Sequence, residues 1–363
     1  MRITDIKVGK IDLPLKRTYK RAQRIIETPE EIVVKVITDD GEIGIGSAAT
    51  TSQITGDTED SILGALKLIK PKIIGMETDD TEGIFKAIDK TIVNNSAAKA
   101  ALDMAVYDLF GKKYGIPLYK FFGGYRDEIE TDITINFGTV EEMVTSALDA
   151  MMKGYTHLKI KVGKDSEIAL ERLNALKKAV RKGITLRIDA DQGWRPKEAV
   201  RTIRKMEDMG LDIDFVEQPV KAWDYDGLKY VTDNVETEIL ADESVQGAPD
   251  ALKIIQTRGA DLINIKLMKC GGFNNAIKII NMAEIVGIKC MMGCMLESKI
   301  GITAAASLAV ARRNMIKADL DTMLMFKEDS IVGGVNIDKK IIKVSNDPGL
   351  GIHEVNGWNE IIL

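Results

Sequence analysis

Histidine is nearly missing from this chain: His157 and His353 are the only two in 363 residues. Both stand far from the acids and lysines described below, which excludes a histidine-based triad. Cysteine is scarce as well, with Cys270, Cys290 and Cys294 making an odd count. In a chain this long, that fits a reducing compartment rather than a disulfide scaffold. Cys290 and Cys294 have the spacing of a two-ligand zinc pair on a helix, but their surroundings read as strand, which favours buried thiols. No apolar stretch is long enough to span a bilayer. The opening Met1-Arg2-Ile3-Thr4-Asp5 lacks the apolar core of a secretion signal, so a cytoplasmic location is expected. No block of Lys and Arg is free of acids, and the net charge is −5, so neither nucleic acid nor membrane is an expected partner.

What is present is ordinary globular material, 45% apolar and 29% charged. The length exceeds one small core and predicts two domains. Up to about residue 47 the pattern is antiparallel strand, with Asp40-Gly41 between apolar runs as a hairpin signal. A loop at 16–28 gathers Arg17, Lys20, Arg21 and Arg24. Helical spacing follows at 60–69 and 82–92, then in a segment that Asn95-Ser96 is expected to cap. Strands first and helices after describe an α+β unit ending near Gly123-Gly124, taken here as residues 1–125.

From Asp132 apolar runs alternate with helical segments, eight times over, at Ile133, Leu158, Leu186, Phe215, Ile239, Leu262, Cys290 and Ile316. That alternation predicts a parallel α/β barrel over 126–334. The tail, 335–363, returns to short strands and is expected to complete the first domain. A barrel carries its active site at the C-terminal strand ends. The polar residues closing the runs are Lys159 and Lys161, Asp189 and Asp191, Glu217, Asp242, Lys266, Glu297 and Ser298, then Asp319 and Asp321. Each alone reads as a solvated strand end; their recurrence at one mouth reads as a site. Lys159 and Lys161, two apart on a strand, share a face and repel, which makes sense only in an anionic neighbourhood. Asp189, Glu217 and Asp242, with no histidine or cysteine, make a hard-oxygen set suited to Mg²⁺, with Mn²⁺ as a second fit. Lys161 and Lys266 flank it. Crowding by Lys159 and a cation is expected to lower a lysine pKa toward a working range. Two bases on opposite sides of a carboxylate-bearing carbon point to racemisation or epimerisation.

These residues carry a resemblance. Lys159-x-Lys161, Arg-Ile-Asp189-Ala-Asp-Gln-Gly-Trp, Val-Glu217-Gln-Pro, Ala-Asp242-Glu-Ser and Asn-Ile-Lys266-Leu-Met-Lys-Cys-Gly-Gly resemble the enolase superfamily, in its muconate-lactonizing subgroup. The resemblance implies a (β/α)7β barrel, modified from the eight repeats, under a capping domain. It implies Asp189, Glu217 and Asp242 as Mg²⁺ ligands, Lys161 and Lys266 as acid/base lysines and Lys159 as an electrostatic helper. Asp319-Leu-Asp321 is similar to the Asp-x-Asp of dipeptide epimerases, which holds a substrate α-ammonium, and Gly293-Cys294-Met295-Leu296-Glu297-Ser298, also similar to theirs, would line the pocket near the dipeptide. Arg24 would meet an acidic side chain in L-Ala-D/L-Glu. Asp191 departs from the Asn common in relatives, and Ser47 from a Glu. Lys269 reads as a surface residue. The expected activity is dipeptide epimerisation; an o-succinylbenzoate synthase or muconate cycloisomerase is the alternative within the fold. A Schiff-base lyase and a non-catalytic binding barrel are the rivals outside it. A homo-oligomer is expected, its size left open.

Overall fold

The computed structural model describes the chain apart from residues 17–18, 21–24 and 27–28. Strands Glu30–Thr38 and Ile43–Ala49 form the hairpin around Gly41, whose φ of +86° suits a residue without Cβ. Ile3–Asp12 pairs with the far side of Glu30–Thr38, and Asn359–Ile361 pairs with Ile3–Asp12, giving a four-stranded antiparallel sheet. Helix Ser96–Tyr114 lies against Ile43–Ala49. The approach is so close that a Cβ on Gly44 would stand 2.1 Å from Ala105 O, and one on Gly46 1.9 Å from Ala101 O. Small residues on both elements bring them together.

Asn95 does not cap this helix as expected. It is left-handed, at φ +51°, and its side chain donates to Val93 O instead. Asp57, distant in sequence, takes the Ala97 N–H at 3.1 Å and does the capping.

Eight parallel strands follow: Ile133–Ile135, His157–Lys161, Thr185–Asp189, Ile213–Glu217, Ile239–Ala241, Leu262–Ile265, Lys289–Gly293 and Met315–Asp319. A bridge between Thr131 and Ala318 joins the first strand's entry to the last strand. Helices separate every consecutive pair, but only the short 3₁₀ turn Thr322–Met325 follows the eighth strand. The barrel is therefore (β/α)7β. Helix Lys299–Ala311 is buried at every position from Ile300 onward, packed between the barrel and the N-terminal layer. It shows no polar face and hence no amphipathic signal. In the tail, Asn336–Asp338 pairs with Ile341–Lys343, which pairs in turn with Glu128–Glu130, and among the described tail strands Asn359–Ile361 is the one that pairs with the first sheet. Among the described residues no helix is long and apolar enough to cross a membrane.

Candidate active site

Parallel register builds the site. Lys161 lies beside Asp189, and Asp189 beside Glu217. Leu240 is the neighbour of Glu217, so Asp242 emerges just past the next strand. Lys266 leaves the end of Leu262–Ile265 on the far side. The three acids thus come from adjacent strands, with a lysine on the strand before them and another on the strand after.

All of these side chains are buried. Lys159 Nζ stands 2.7 Å from Glu217 Oε2, 2.7 Å from Asp319 Oδ2 and 3.2 Å from Asp189 Oδ2. Lys161 Nζ donates to Asp189 Oδ2 at 2.6 Å, and Lys266 Nζ to Asp242 Oδ2 at 2.6 Å. Asn264 donates to Glu217 Oε1 at 2.9 Å. Gly293 leaves room for this arrangement, since a Cβ there would come within 2.8 Å of Lys266 Cε.

Burial raises the Glu217 carboxyl to about 7; Lys159 opposes this, while Asp189 and Asp242 add repulsion. Burial also works against Asp189 and Asp242, but their lysines hold both below the usual carboxylate range. Lys266 answers to burial and to its acidic neighbours. Burial lowers it, yet Asp242 and Glu217 outweigh both burial and the repulsion of Lys159, so it sits above the ordinary lysine value. Carboxylate proximity, not lysine crowding, dominates.

Lys269 is corrected relative to expectation. It is 3% exposed, not a surface residue, and its ammonium donates to Asp242 Oδ1 at 2.5 Å, to Asp242 O, and to Asn264 O at 3.1 Å. The short helix Leu267–Cys270 turns it back under the strand ends.

The mouth opens into a cavity lined by Lys159, Lys161, Lys266, Asp189, Asp242, Asp319 and Asp321. Asp191 also lines it, and its N–H donates to Asp189 Oδ1 at 2.9 Å. Asp321 accepts the Thr134 N–H at 2.7 Å across the barrel seam. Burial and then Asp319 raise the Asp321 carboxyl to about 6. The expected segment brings Cys294, Met295 and Leu296 into this lining, whereas sequence reasoning missed Thr134, Glu243, Thr322 and Met325. Glu243 follows Asp242 directly, and an acid pair at a strand end was its available signal. The side chains of Glu297 and Ser298 do other work. Glu297 Oε1 takes the Met295 N–H at 2.7 Å, and Ser298 caps helix Lys299–Ala311. The Ser298 N–H donates to Glu31 Oε2 of the N-terminal sheet at 2.8 Å. Cys270, Cys290 and Cys294 are buried free thiols. His157 faces Glu130 at 3.0 Å, at the opposite end of its strand from Lys161. Arg24 lies outside the described residues.

Among the described residues no three of His, Cys, Asp and Glu converge as a ready coordination shell. Lysine ammoniums stand against the oxygens instead. The donor set nonetheless fits a hard divalent cation: Asp189, Glu217 and Asp242 repel one another, and beside them Glu243 Oε2 is buried without a hydrogen bond.

Residues 5–123 match the mandelate racemase / muconate lactonizing enzyme N-terminal domain, and residues 142–355 match the enolase C-terminal domain-like family. An L-Ala-D/L-Glu epimerase of Clostridium acetobutylicum is 49% identical, over 98% of this chain and 100% of its own. The substrate-liganded L-Ala-D/L-Glu epimerase of Bacillus subtilis superposes with TM-score 0.96 at 46% identity, covering 98% of this chain and 99% of that one. The dipeptide epimerase of Enterococcus faecalis, complexed with Mg and L-Leu-L-Tyr, gives 0.95 at 41% identity, over 98% and 100% of the two chains. With both halves matched and the fold superposed end to end, this chain belongs to the mandelate racemase / muconate lactonizing family of the enolase superfamily.

Proposed function

We propose that this chain is a Mg²⁺-dependent dipeptide epimerase that inverts the α-carbon of the C-terminal residue of its substrate. The observation that carries the reading is the placement of Lys161 and Lys266 on opposite flanks of three adjacent strand-end carboxylates. Asp189, Glu217 and Asp242 are the residues to hold the cation. When bound, it supplies a Lewis acid that stabilises negative charge building on the substrate carboxylate. One lysine, as the amine, takes the α-proton while its counterpart, as the ammonium, returns a proton to the opposite face. Lys159, wedged among Asp189, Glu217 and Asp319, keeps a positive charge between the two acidic groups.

Asp319 and Asp321 are the groups to receive the dipeptide's free α-ammonium. That pair disfavours o-succinylbenzoate synthase and muconate cycloisomerase, whose substrates offer no cation to it. A dipeptide of the L-Ala-D/L-Glu type is the first substrate to try, with Arg24 assigned to the acidic side chain and Mn²⁺ as an alternative metal. A cytoplasmic homo-oligomer remains the working setting. The domain division proposed is 1–125 and 126–334, with the tail 335–363 contributing through its last strand to the first sheet.

Chelation tests the reading. Stripped of divalent ions, the protein should neither epimerise L-Ala-L-Glu nor incorporate α-deuterium from D₂O, and Mg²⁺ should restore both. Undiminished turnover in chelator sinks the proposal.

A further inference from the structure

The turn after Glu217 has a backbone conformation that side chains rarely adopt. Gln218 has φ +37° and is completely buried. In the adjacent turn, Asp191 and Gln192 are also left-handed, at +48° and +61°. Gln218 uses all the hydrogen-bonding directions of its primary amide. Its Oε1 accepts the Asp242 N–H at 2.9 Å and the Ser244 N–H at 3.1 Å. Its Nε2 donates to Ser244 Oγ at 2.7 Å and to Val220 O at 3.0 Å. Its own N–H donates to Leu240 O at 2.9 Å, and its carbonyl accepts the Gln192 N–H at 2.9 Å. A single side chain and its peptide groups therefore reach the turns that follow Asp189, Glu217 and Asp242.

We propose that Gln218 is a positioning residue that sets the mutual spacing of those three carboxylates. The inference rests on the reading that they hold the cation. A strained backbone persists where its surroundings over-determine it, and here what determines it is the set of turns carrying the acids. The amide is needed in this orientation. Two backbone N–H groups require an acceptor on one side, while the Val220 carbonyl requires a donor on the other. Glutamate would turn an acceptor toward Val220 O, and methionine would satisfy neither side.

The test compares Gln218→Met and Gln218→Gly with Leu66→Ala, a buried change in helix Glu59–Ile73 that lowers stability far from the barrel mouth. Mn²⁺ affinity is read by electron paramagnetic resonance and folding by thermal unfolding. Both Gln218 variants should bind Mn²⁺ about 10- to 100-fold more weakly. Leu66→Ala should melt earlier and keep wild-type Mn²⁺ affinity. Gln218→Gly relaxes the backbone and secures a folded variant if Gln218→Met misfolds. Wild-type Mn²⁺ affinity in the Gln218 variants overturns the proposal, as does an equal weakening in Leu66→Ala. A wild-type protein that binds no Mn²⁺ would instead remove the three-carboxylate reading beneath it.

Discussion

Both ends of the barrel bury charge, and they treat it in opposite ways. At the N-terminal end the charges match. Arg187 donates from Nε to Asp214 at 3.0 Å and from Nη1 to Asp132 at 2.7 Å, and Lys317 reaches Asp214 at 2.5 Å. Burial opposes ionised Asp214, yet Lys317 and Arg187 hold it below the usual carboxylate range. At the C-terminal end acids are in excess. Asp189, Asp191, Glu217, Asp242, Glu243, Asp319 and Asp321 crowd Lys159, Lys161, Lys266 and Lys269, and Glu243 keeps a buried oxygen without a hydrogen bond. Burial and the neighbouring acids raise Glu243 to about 8. The first end balances its cations and acids within the fold, with Asp132 Oδ1 left without a hydrogen bond there; the second is left wanting positive charge, which a ligand can bring.

Breaking the two ends should have different consequences. The largest effect belongs to the mouth: Lys161→Ala and Lys266→Ala should each lose about 100- to 10,000-fold in epimerase turnover while remaining folded. One of them should still exchange α-deuterium into a single substrate isomer, as mass spectrometry in D₂O would reveal. Full activity in both variants would end the two-base mechanism.

At the other end, Arg187→Met leaves Asp132 buried without its guanidinium. It should cost about 3–5 kcal/mol in denaturant unfolding, with Mn²⁺ affinity of the folded protein preserved. Wild-type stability in this variant would mean that the matched network is not what holds the lower end together.

Particular groups at the two ends also differ in the sign of their pH response. Near the mouth, burial raises Glu31 to about 7 and Glu297 to about 8, from an ordinary 4.5. Between those values the folded chain keeps protons that the unfolded chain has released. Stability should therefore fall as pH rises from about 4.5 toward 7, by up to about 3 kcal/mol for Glu31. Glu31→Gln should flatten that limb. Asp214, with its lowered value, contributes stability above the unfolded carboxylate pKa and loses it as acid takes the pH below. Unfolding free energies measured from pH 4 to 9 check the mouth-side slope, and a rising limb there would refute it.

The smallest effect is the most direct on the charge deficit. Mg²⁺ at about 100 times its Kd should stabilise the chain by about 2.7 kcal/mol, and Glu217→Ala should abolish the gain. A thermal shift that survives that substitution would place the cation elsewhere.

Much of this was legible in the residues because strand ends announce themselves. Asp40-Gly41 gave the hairpin, and the acids closing successive apolar runs gave the barrel mouth, since register in a parallel sheet brings them level. What stayed hidden depends on distant segments. Lys269 looks solvent-facing until the turn at Gly271 and Gly272 buries it under Asp242. Helix Lys299–Ala311 has no exposed face to give it a period. Asn95 seems a natural cap until Asp57, from another loop, takes the amide. Gln218 reads as an ordinary polar neighbour of Glu217, because its partners belong to the adjoining turns.

The pairing of Asn359–Ile361 with Ile3–Asp12 has a temporal consequence. During synthesis Ile3–Asp12 emerges long before its outer neighbour exists, so one flank of that sheet waits with open backbone groups while the whole barrel is made. Such an edge invites pairing with another nascent chain. The finishing stitch arrives only after the barrel's eighth strand has been made.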